Sequence, residues 1–93
     1  MPLLYEEKFV TRLQKGNRIQ LPVLIRWKYR LEQGEIFKVN TRNPEKYKNE
    51  TFYARLGIDG RITIPKLILE LIEAEAGTIL EVTLYPEKSS EIA

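Results

Sequence analysis

The chain has 93 residues, close to the lower limit for a domain that buries its own core, and 43% of them are hydrophobic and 30% charged. It contains no cysteine and no histidine, so we expect no enzyme, no cofactor and no metal site. The net charge is +2, but it is unevenly distributed. Residues 1–46 hold ten basic and five acidic side chains, whereas residues 47–93 hold five basic and eight acidic ones. This asymmetry favours a first half that faces a polyanion.

The N-terminal stretch "MPLLYEEKFV" is acidic rather than basic, which argues against a secretory signal, and no apolar run approaches the length that crosses a bilayer. We therefore expect a cytoplasmic protein with no membrane partner. Carboxylates alone would still bind Mg²⁺ or form an acid/base pair. However, Glu32, Glu70 and most other glutamates fall on charged helix faces, where solvation is the simpler explanation.

The first predicted elements are two strands. "FVTRL" at 9–13 alternates apolar and polar residues, and "RIQL" at 18–21 alternates again, with Arg18 on the face opposite Ile19. The intervening "QKGN" contains residues that adopt positive φ at small cost. The pattern predicts a β-hairpin.

A helix is predicted next. Pro22 stands where proline favours a helix start, and Leu24, Ile25 and Tyr29 recur at helical spacing as one buried stripe. Gly34 is expected to end this helix in the left-handed conformation, before a third strand, "IFKVN".

The remaining chain repeats this order. Residues 41–50 are polar and contain a proline, which predicts an exposed connector, and residues 85–93 form a tail that we expect to fray. Between them stand "FYARL", "GIDG", "RITI", Pro65, a second apolar stripe, Gly77 and "ILEVTLY". The members of that stripe are Leu67, Ile68, Leu71 and Ile72.

The two halves are an internal repeat. A shift of 43 residues, without a gap, makes twelve of the 32 positions from Phe9 to Asn40 identical. Each unit is therefore β-β-α-β, at about 8–40 and about 51–84, and has too little apolar surface to stand alone. We expect a single domain, mostly β with two short helices, in which both units close around one core.

Both units resemble the AbrB/SpoVT family of DNA-binding domains, through "GRITIPKLI" at 60–68 and "NRIQLPVLIR" at 17–26, where Asn17 replaces the glycine. The resemblance implies a swapped-hairpin-type β-barrel. Most members build it as a homodimer, whereas this chain carries both units, as MraZ-like proteins do. The family's glycine near the helix end is Arg30 and Glu73 here, so we expect both helices to continue to Gly34 and Gly77.

The resemblance also implies a transcriptional regulator that binds double-stranded DNA. Carried over position by position, the candidate contacts are Arg12, Arg18, Arg26, Arg55 and Arg61. Lys15 in the first turn and Lys66 beside Pro65 are further basic side chains suited to phosphate. Because Arg26 corresponds to Leu69, and Trp27 and Arg30 to Glu70 and Glu73, we expect the first unit to supply more of the affinity.

Other interpretations remain open from the sequence. The arginines would also serve as solubilising residues on strand faces that point away from the core. An antitoxin is less favoured, because only about nine residues follow the last strand, and a structural barrel without DNA affinity is a third alternative. Pairing of whole barrels as a homodimer is a further alternative, with Trp27 as the better interface candidate.

Overall fold

The computed structural model describes Leu3 and residues 5–86. The chain runs β-β-α-β twice, and the predicted mostly-β fold with two short helices is confirmed. Within the described residues, neither helix is long and apolar enough to cross a membrane. The elements are β1 (Glu7–Arg12), β2 (Arg18–Gln20), α1 (Val23–Tyr29), β3 (Ile36–Asn43), β4 (Lys48–Arg55), β5 (Arg61–Thr63), α2 (Lys66–Leu71) and β6 (Ile79–Tyr85).

The strands form two antiparallel sheets: a four-stranded sheet in the order β1-β6-β3-β4, and a two-stranded ribbon of β2 and β5. Every ladder joins a strand of the first unit to a strand of the second. The predicted hairpin within each unit is therefore wrong, since β1 and β2 share only an isolated bridge between Gln14 and Arg18. The sheets do not close on each other, so the structure does not confirm a barrel.

A pseudo-two-fold axis relates the units, because equivalent residues pair in equivalent ways. Phe9 lies opposite Val82, and its counterpart Phe52 lies opposite Val39. Two cross-strand pairs join a residue to its own counterpart: Ile19 with Ile62 in the ribbon, and Asn40 with Thr83 in the sheet. These two pairs mark the line of the axis through the molecule.

One hydrophobic core lies between the two sheets. The ribbon contributes Ile19 and Ile62, and the inner face of the sheet contributes Val39, Leu80 and Leu84, all with no exposed surface. The outer faces of the ribbon and of the four-stranded sheet consequently point away from this core, at opposite ends of the pseudo-two-fold axis.

The helices begin as predicted but end early. Pro22 and Pro65 are the N-caps, whereas the left-handed residues that end the helices are Arg30 (φ 52°) and Glu73 (φ 58°). In α1 the Leu31 N–H donates to the Arg26 carbonyl at 2.9 Å, and in α2 Ala74 donates to Leu69 at the same distance. This Schellman pattern satisfies the last helical carbonyls, so the expected continuation to the later glycines is wrong.

The predicted apolar stripes are only partly buried. Tyr29 and Ile72 lie in the core, but Leu24 and Leu67 are 72% and 62% exposed, and Leu71 is exposed as well. The helices are short and lie at the edge of the core, so each buries about one side chain per turn.

The expected exposed connector at 41–50 is mostly strand. β3 continues to Asn43 and β4 begins at Lys48, which leaves a tight turn between them. The buried Asn43 amide donates to the carbonyls of Ile72 and Glu73 at 3.0 and 3.2 Å and so ties this turn to the end of α2. Of the predicted tail, Tyr85 belongs to β6, and residues 87–93 lie outside the described residues.

Truncation of Ile62, one member of the Ile19–Ile62 pair on the pseudo-two-fold axis, should destabilise the fold. We expect Ile62→Ala to lower the free energy of unfolding by about 2–5 kcal/mol, because the cavity would lie between both units and neither could relax alone. Urea denaturation checks this. Ile58→Ala is the control, since Ile58 is 82% exposed, and should change the free energy by less than about 0.5 kcal/mol. Equal effects of the two substitutions would contradict the shared core.

Candidate nucleic-acid interface

The outer face of the ribbon brings two predicted arginines together. Arg18 lies opposite Thr63 and Gln20 opposite Arg61, and these four residues alternate with the buried Ile19 and Ile62. Arg18 and Arg61 are therefore diagonal neighbours on one face, with their backbones roughly 7–8 Å apart. Strand alternation alone sends both guanidinium groups outward.

The turns before the two ribbon strands fix its ends. Asn17 (φ 62°) and Gly60 (φ 80°) occupy matching positions in the left-handed region, which asparagine also tolerates. The Gly60 carbonyl accepts from the Leu21 N–H at 2.9 Å, and the Asn17 carbonyl accepts from Ile64 at 2.7 Å. Each turn is thus held by the opposite unit, which limits movement of the ribbon.

Arg26 lies beside one end of this ribbon. Its guanidinium rests over Gly60, so closely that a Cβ at that position would lie 2.5 Å from Cζ. Its Nε is buried and has no hydrogen-bond partner among the described residues, and the same holds for Nε of Arg61. Leu69, the counterpart of Arg26, is a buried apolar residue. Only one end of the ribbon therefore carries this extra cation.

Polar contacts organise the same end. Arg61 donates to the Asp59 carboxylate at 2.5 Å, and the Gln20 amide donates to the carbonyls of Asp59 and Gly60 at 3.0 and 3.3 Å. Lys15, in the first turn, is exposed, and Lys66 is exposed at the start of α2. This end of the ribbon thus carries hydrogen-bond donors that are held in place by contacts within the chain, together with one charged acceptor, the Asp59 carboxylate.

Arg12 and Arg55 lie elsewhere. They occupy the ends of the edge strands β1 and β4, at opposite corners of the four-stranded sheet. Arg12 donates to the Gly77 carbonyl at 2.9 Å, and Arg55 donates to that of Gly34 at 3.2 Å. Each arginine therefore binds the turn before the last strand of the other unit. Their recurrence in both units has this structural explanation, and the two predicted arginine pairs do not form one surface.

An ion pair with Glu7 neutralises Lys28, near the C-terminal end of α1. Glu7 accepts from the Tyr29 hydroxyl at 2.5 Å and from Lys28 at 3.0 Å, and these two contacts lower the pKa of Glu7 below its ordinary 4.5. Glu7 in turn raises the pKa of Lys28, and burial together with Glu7 raises the pKa of Tyr29. Lys28 is thus engaged with Glu7, and its charge is not directed to a ligand.

A second carboxylate has the same effect near α2. Glu73 pairs with Lys48 and, at 3.7 Å, with Lys46, and these lysines lower the pKa of Glu73. The charge of Glu73 is thus balanced by lysines of the turn between β3 and β4 and of the start of β4. The acidic character of α2 near its end is therefore smaller than the sequence indicated.

Sequence reasoning missed Gln20 and Thr63 as members of the surface. Neither is charged, but each occupies the outward position that alternates with a buried isoleucine, and that alternation was the available signal. Among the residues that the structure describes, no three Asp, Glu, His or Cys side chains come together as a metal site.

No protein-family model matches the chain, and no curated protein matches it significantly. Among solved structures it is similar to PHS018 from Pyrococcus horikoshii, known from a solution structure, with 33% identity over 85% of this chain and 88% of PHS018 and a TM-score of 0.76. The chain belongs to the same family as PHS018. The name PHS018 states no activity, so the relationship supports the fold and leaves the function to be argued from the ribbon.

The Glu7 contacts should make stability depend on pH. Because the pKa of Glu7 is lower in the folded state, its contribution is present above pH 4.5 and is lost as the pH falls through the folded value. We expect Glu7→Gln to flatten the fall in unfolding free energy below about pH 4.5. Urea titrations at several pH values measure this. Glu70→Gln, which removes an exposed carboxylate, is the control for charge alone; an unchanged acid profile in Glu7→Gln would refute the contact.

Proposed function

We propose that this protein is a DNA-binding transcriptional regulator of the AbrB/SpoVT type, which inserts the β2/β5 ribbon into the major groove of duplex DNA. The observation that carries the proposal is the outward pair Arg18 and Arg61, which the pseudo-two-fold places on one face of a two-stranded ribbon. A major groove about 12 Å wide admits such a ribbon, and the symmetry of the pair matches the local dyad of a duplex.

The outward side chains of the ribbon suit direct readout of bases. Arginine donates two hydrogen bonds to guanine O6 and N7, glutamine pairs with adenine, and the threonine methyl contacts that of thymine. Arg18, Gln20 and Thr63 supply these three chemistries within one ribbon face. Arg61 adds a second guanidinium, and both Gln20 and Arg61 read bases once their contacts with the turn at 59–60 are exchanged for DNA.

Basic residues around the ribbon favour phosphate contact. Arg26 and Lys15 both belong to the first unit in sequence, although the Arg26 guanidinium rests over Gly60 of the second unit, and we expect both cations to contact phosphates. Lys66 extends the basic surface at the start of α2. Arg12 and Arg55 contribute to this proposal only through the long-range field, because they lie on the edges of the sheet and bind backbone carbonyls.

The proposed architecture is a swapped-hairpin-type barrel made by one chain. The support is that all ladders cross between units, as they would between the subunits of a homodimeric relative. A homodimer of such barrels is a further part of the proposal. Trp27, which is 70% exposed on α1, is the side chain that would anchor it.

Removal of the ribbon arginines should weaken duplex binding. We expect Arg18→Ala and Arg61→Ala each to cost about 1–3 kcal/mol of binding free energy and to relax base preference, because both reach base edges. Fluorescence anisotropy with duplexes selected from a random pool measures this. The matched controls are Arg12→Ala and Arg55→Ala, each of which removes the same single charge and leaves the ribbon face intact. If the control pair lost as much affinity as the ribbon pair, the interface would be misplaced.

Replacement of Arg26 separates phosphate contact from base contact. Arg26→Leu copies the second unit, where Leu69 is buried, so the fold should accept it and lose a buried Nε that has no partner. We expect weaker duplex binding, a salt dependence reduced by about one unit of slope, and unchanged base preference. Affinity measured over a series of salt concentrations tests this, and a slope equal to that of the unmodified protein would exclude a phosphate contact.

A further inference from the structure

The outer face of the four-stranded sheet, at the opposite end of the axis from the ribbon, is not covered by any described part of the chain. Helices and ribbon lie on the core side or at the edges, and Val10 and Tyr53 are 65% and 69% exposed on this face. A solvated sheet face usually presents small polar side chains. Large exposed side chains on this one therefore call for a functional explanation.

A row of three side chains crosses this face on adjacent strands. In the ladder registers, Tyr85 of β6 lies opposite Lys38 of β3, and Lys38 lies opposite Tyr53 of β4. The Lys38 ammonium is 5.5 Å from the centre of the Tyr85 ring. We call this set the tyrosine row. Its two rings are two strand spacings apart, roughly 10 Å, so each can hold a different flat group.

The charge of the face suits a polyanion. Its outward side chains include five basic residues against one acidic residue, Glu81, which pairs with Arg42. Within the described residues, no carboxylate forms an ion pair with Lys38. A groove of about 350 Å³ lies on the other half of this face, where Lys8, Asn40 and Arg42 line it together with Glu81, and no member of the tyrosine row takes part in it. Two copies of so basic a face would repel each other, which disfavours self-association here.

The tyrosine row does not follow from the internal repeat. Its symmetry-related row consists of Val10, Glu81 and Arg42, which contains an ion pair and no ring. Core positions require similar residues in both units, but this outer row is free to differ. The aromatic character is thus a property of one half of the face.

We propose that single-stranded nucleic acid binds across this face, with bases stacked on Tyr53 and Tyr85 and the backbone held by Lys38 and the surrounding cations. Four strands side by side span roughly 14 Å between the outer backbones, more than the width of about 12 Å of a major groove. An exposed four-stranded sheet with aromatic side chains is, by contrast, a known platform for splayed bases. Stacking tolerates any base, and the basic surround tracks the backbone. This inference is independent of the ribbon, because it uses the opposite end of the molecule.

The test compares two ligands on one set of variants. Anisotropy at low salt would be measured with a labelled oligothymidine of about twelve nucleotides and, in parallel, with a duplex. We expect Tyr53→Ala to weaken oligothymidine binding about tenfold, Tyr53→Phe to retain it, and Lys38→Gln to reduce it and its salt dependence. Because Tyr53 is largely exposed, these variants should fold. The Arg18→Ala/Arg61→Ala protein is the matched control and should bind oligothymidine as the unmodified protein does.

Three results would overturn the proposal. One is that the unmodified protein fails to bind oligothymidine at low salt. Another is that the ribbon variant loses this binding while Tyr53→Ala keeps it, which would assign single strands to the ribbon. The third is that sedimentation shows a dimer which Tyr53→Ala dissociates, with oligothymidine affinity unchanged; the face would then be a contact between copies. If the unmodified protein bound oligothymidine but not the duplex, the ribbon site would be rejected and the sheet site would stand.

Discussion

The rest of the structure depends on one constraint: each strand finds its hydrogen-bond partner in the other unit. Neither unit can satisfy its backbone or cover its apolar face alone, because the ladders and the Ile19–Ile62 pair all cross between them. A chain of this length gains its core by interleaving two small units rather than by stacking them. The ribbon exists only because each unit donates one three-residue strand, too short to be stable in isolation.

That constraint explains where the recurring arginines belong. Arg12 and Arg55 recur because each closes the junction between its edge strand and the turn at Gly77 or Gly34 of the other unit. Within the described part of the chain, Arg18 and Arg61 recur at positions where the guanidinium has no such backbone partner, and Arg61 donates to a neighbouring carboxylate. A residue that repeats in both halves of a duplicated chain is thus not by itself a ligand contact. What separates the two pairs is whether the guanidinium satisfies a carbonyl of the fold.

The sequence was sufficient for the order of elements but not for their partners. Alternation indicates which face of "RIQ" or "RIT" is buried, yet it is equally compatible with a hairpin inside each unit and with a ribbon between them. Helix ends were misplaced because the glycine rule does not detect Arg30 and Glu73 in the left-handed region, where hydrogen bonds to the preceding turn hold them. Residues 41–43 were assigned to a connector because Thr41 and Asn43 are polar, although both are buried. Alternation also predicts that Arg18 and Arg61 point away from the buried isoleucines, as the ribbon shows. Gln20 and Thr63 give no compositional signal, because they are uncharged.

Because the two units are fused into one chain, equivalent surface positions of the two units can carry different residues. In a homodimer every exposed position occurs twice around the axis, so a cation on one helix imposes the same cation on the other. Here Arg26 corresponds to Leu69, and the tyrosine row corresponds to Val10, Glu81 and Arg42, while the axial isoleucines stay alike. Backbone ladders hold the pseudo-symmetry inside, and they place no condition on outward side chains. The fold can therefore keep a two-fold symmetric core, which suits a symmetric duplex, while its outer faces become asymmetric. An asymmetric face suits a single strand of nucleic acid, because such a strand has a 5′ and a 3′ end and no two-fold symmetry.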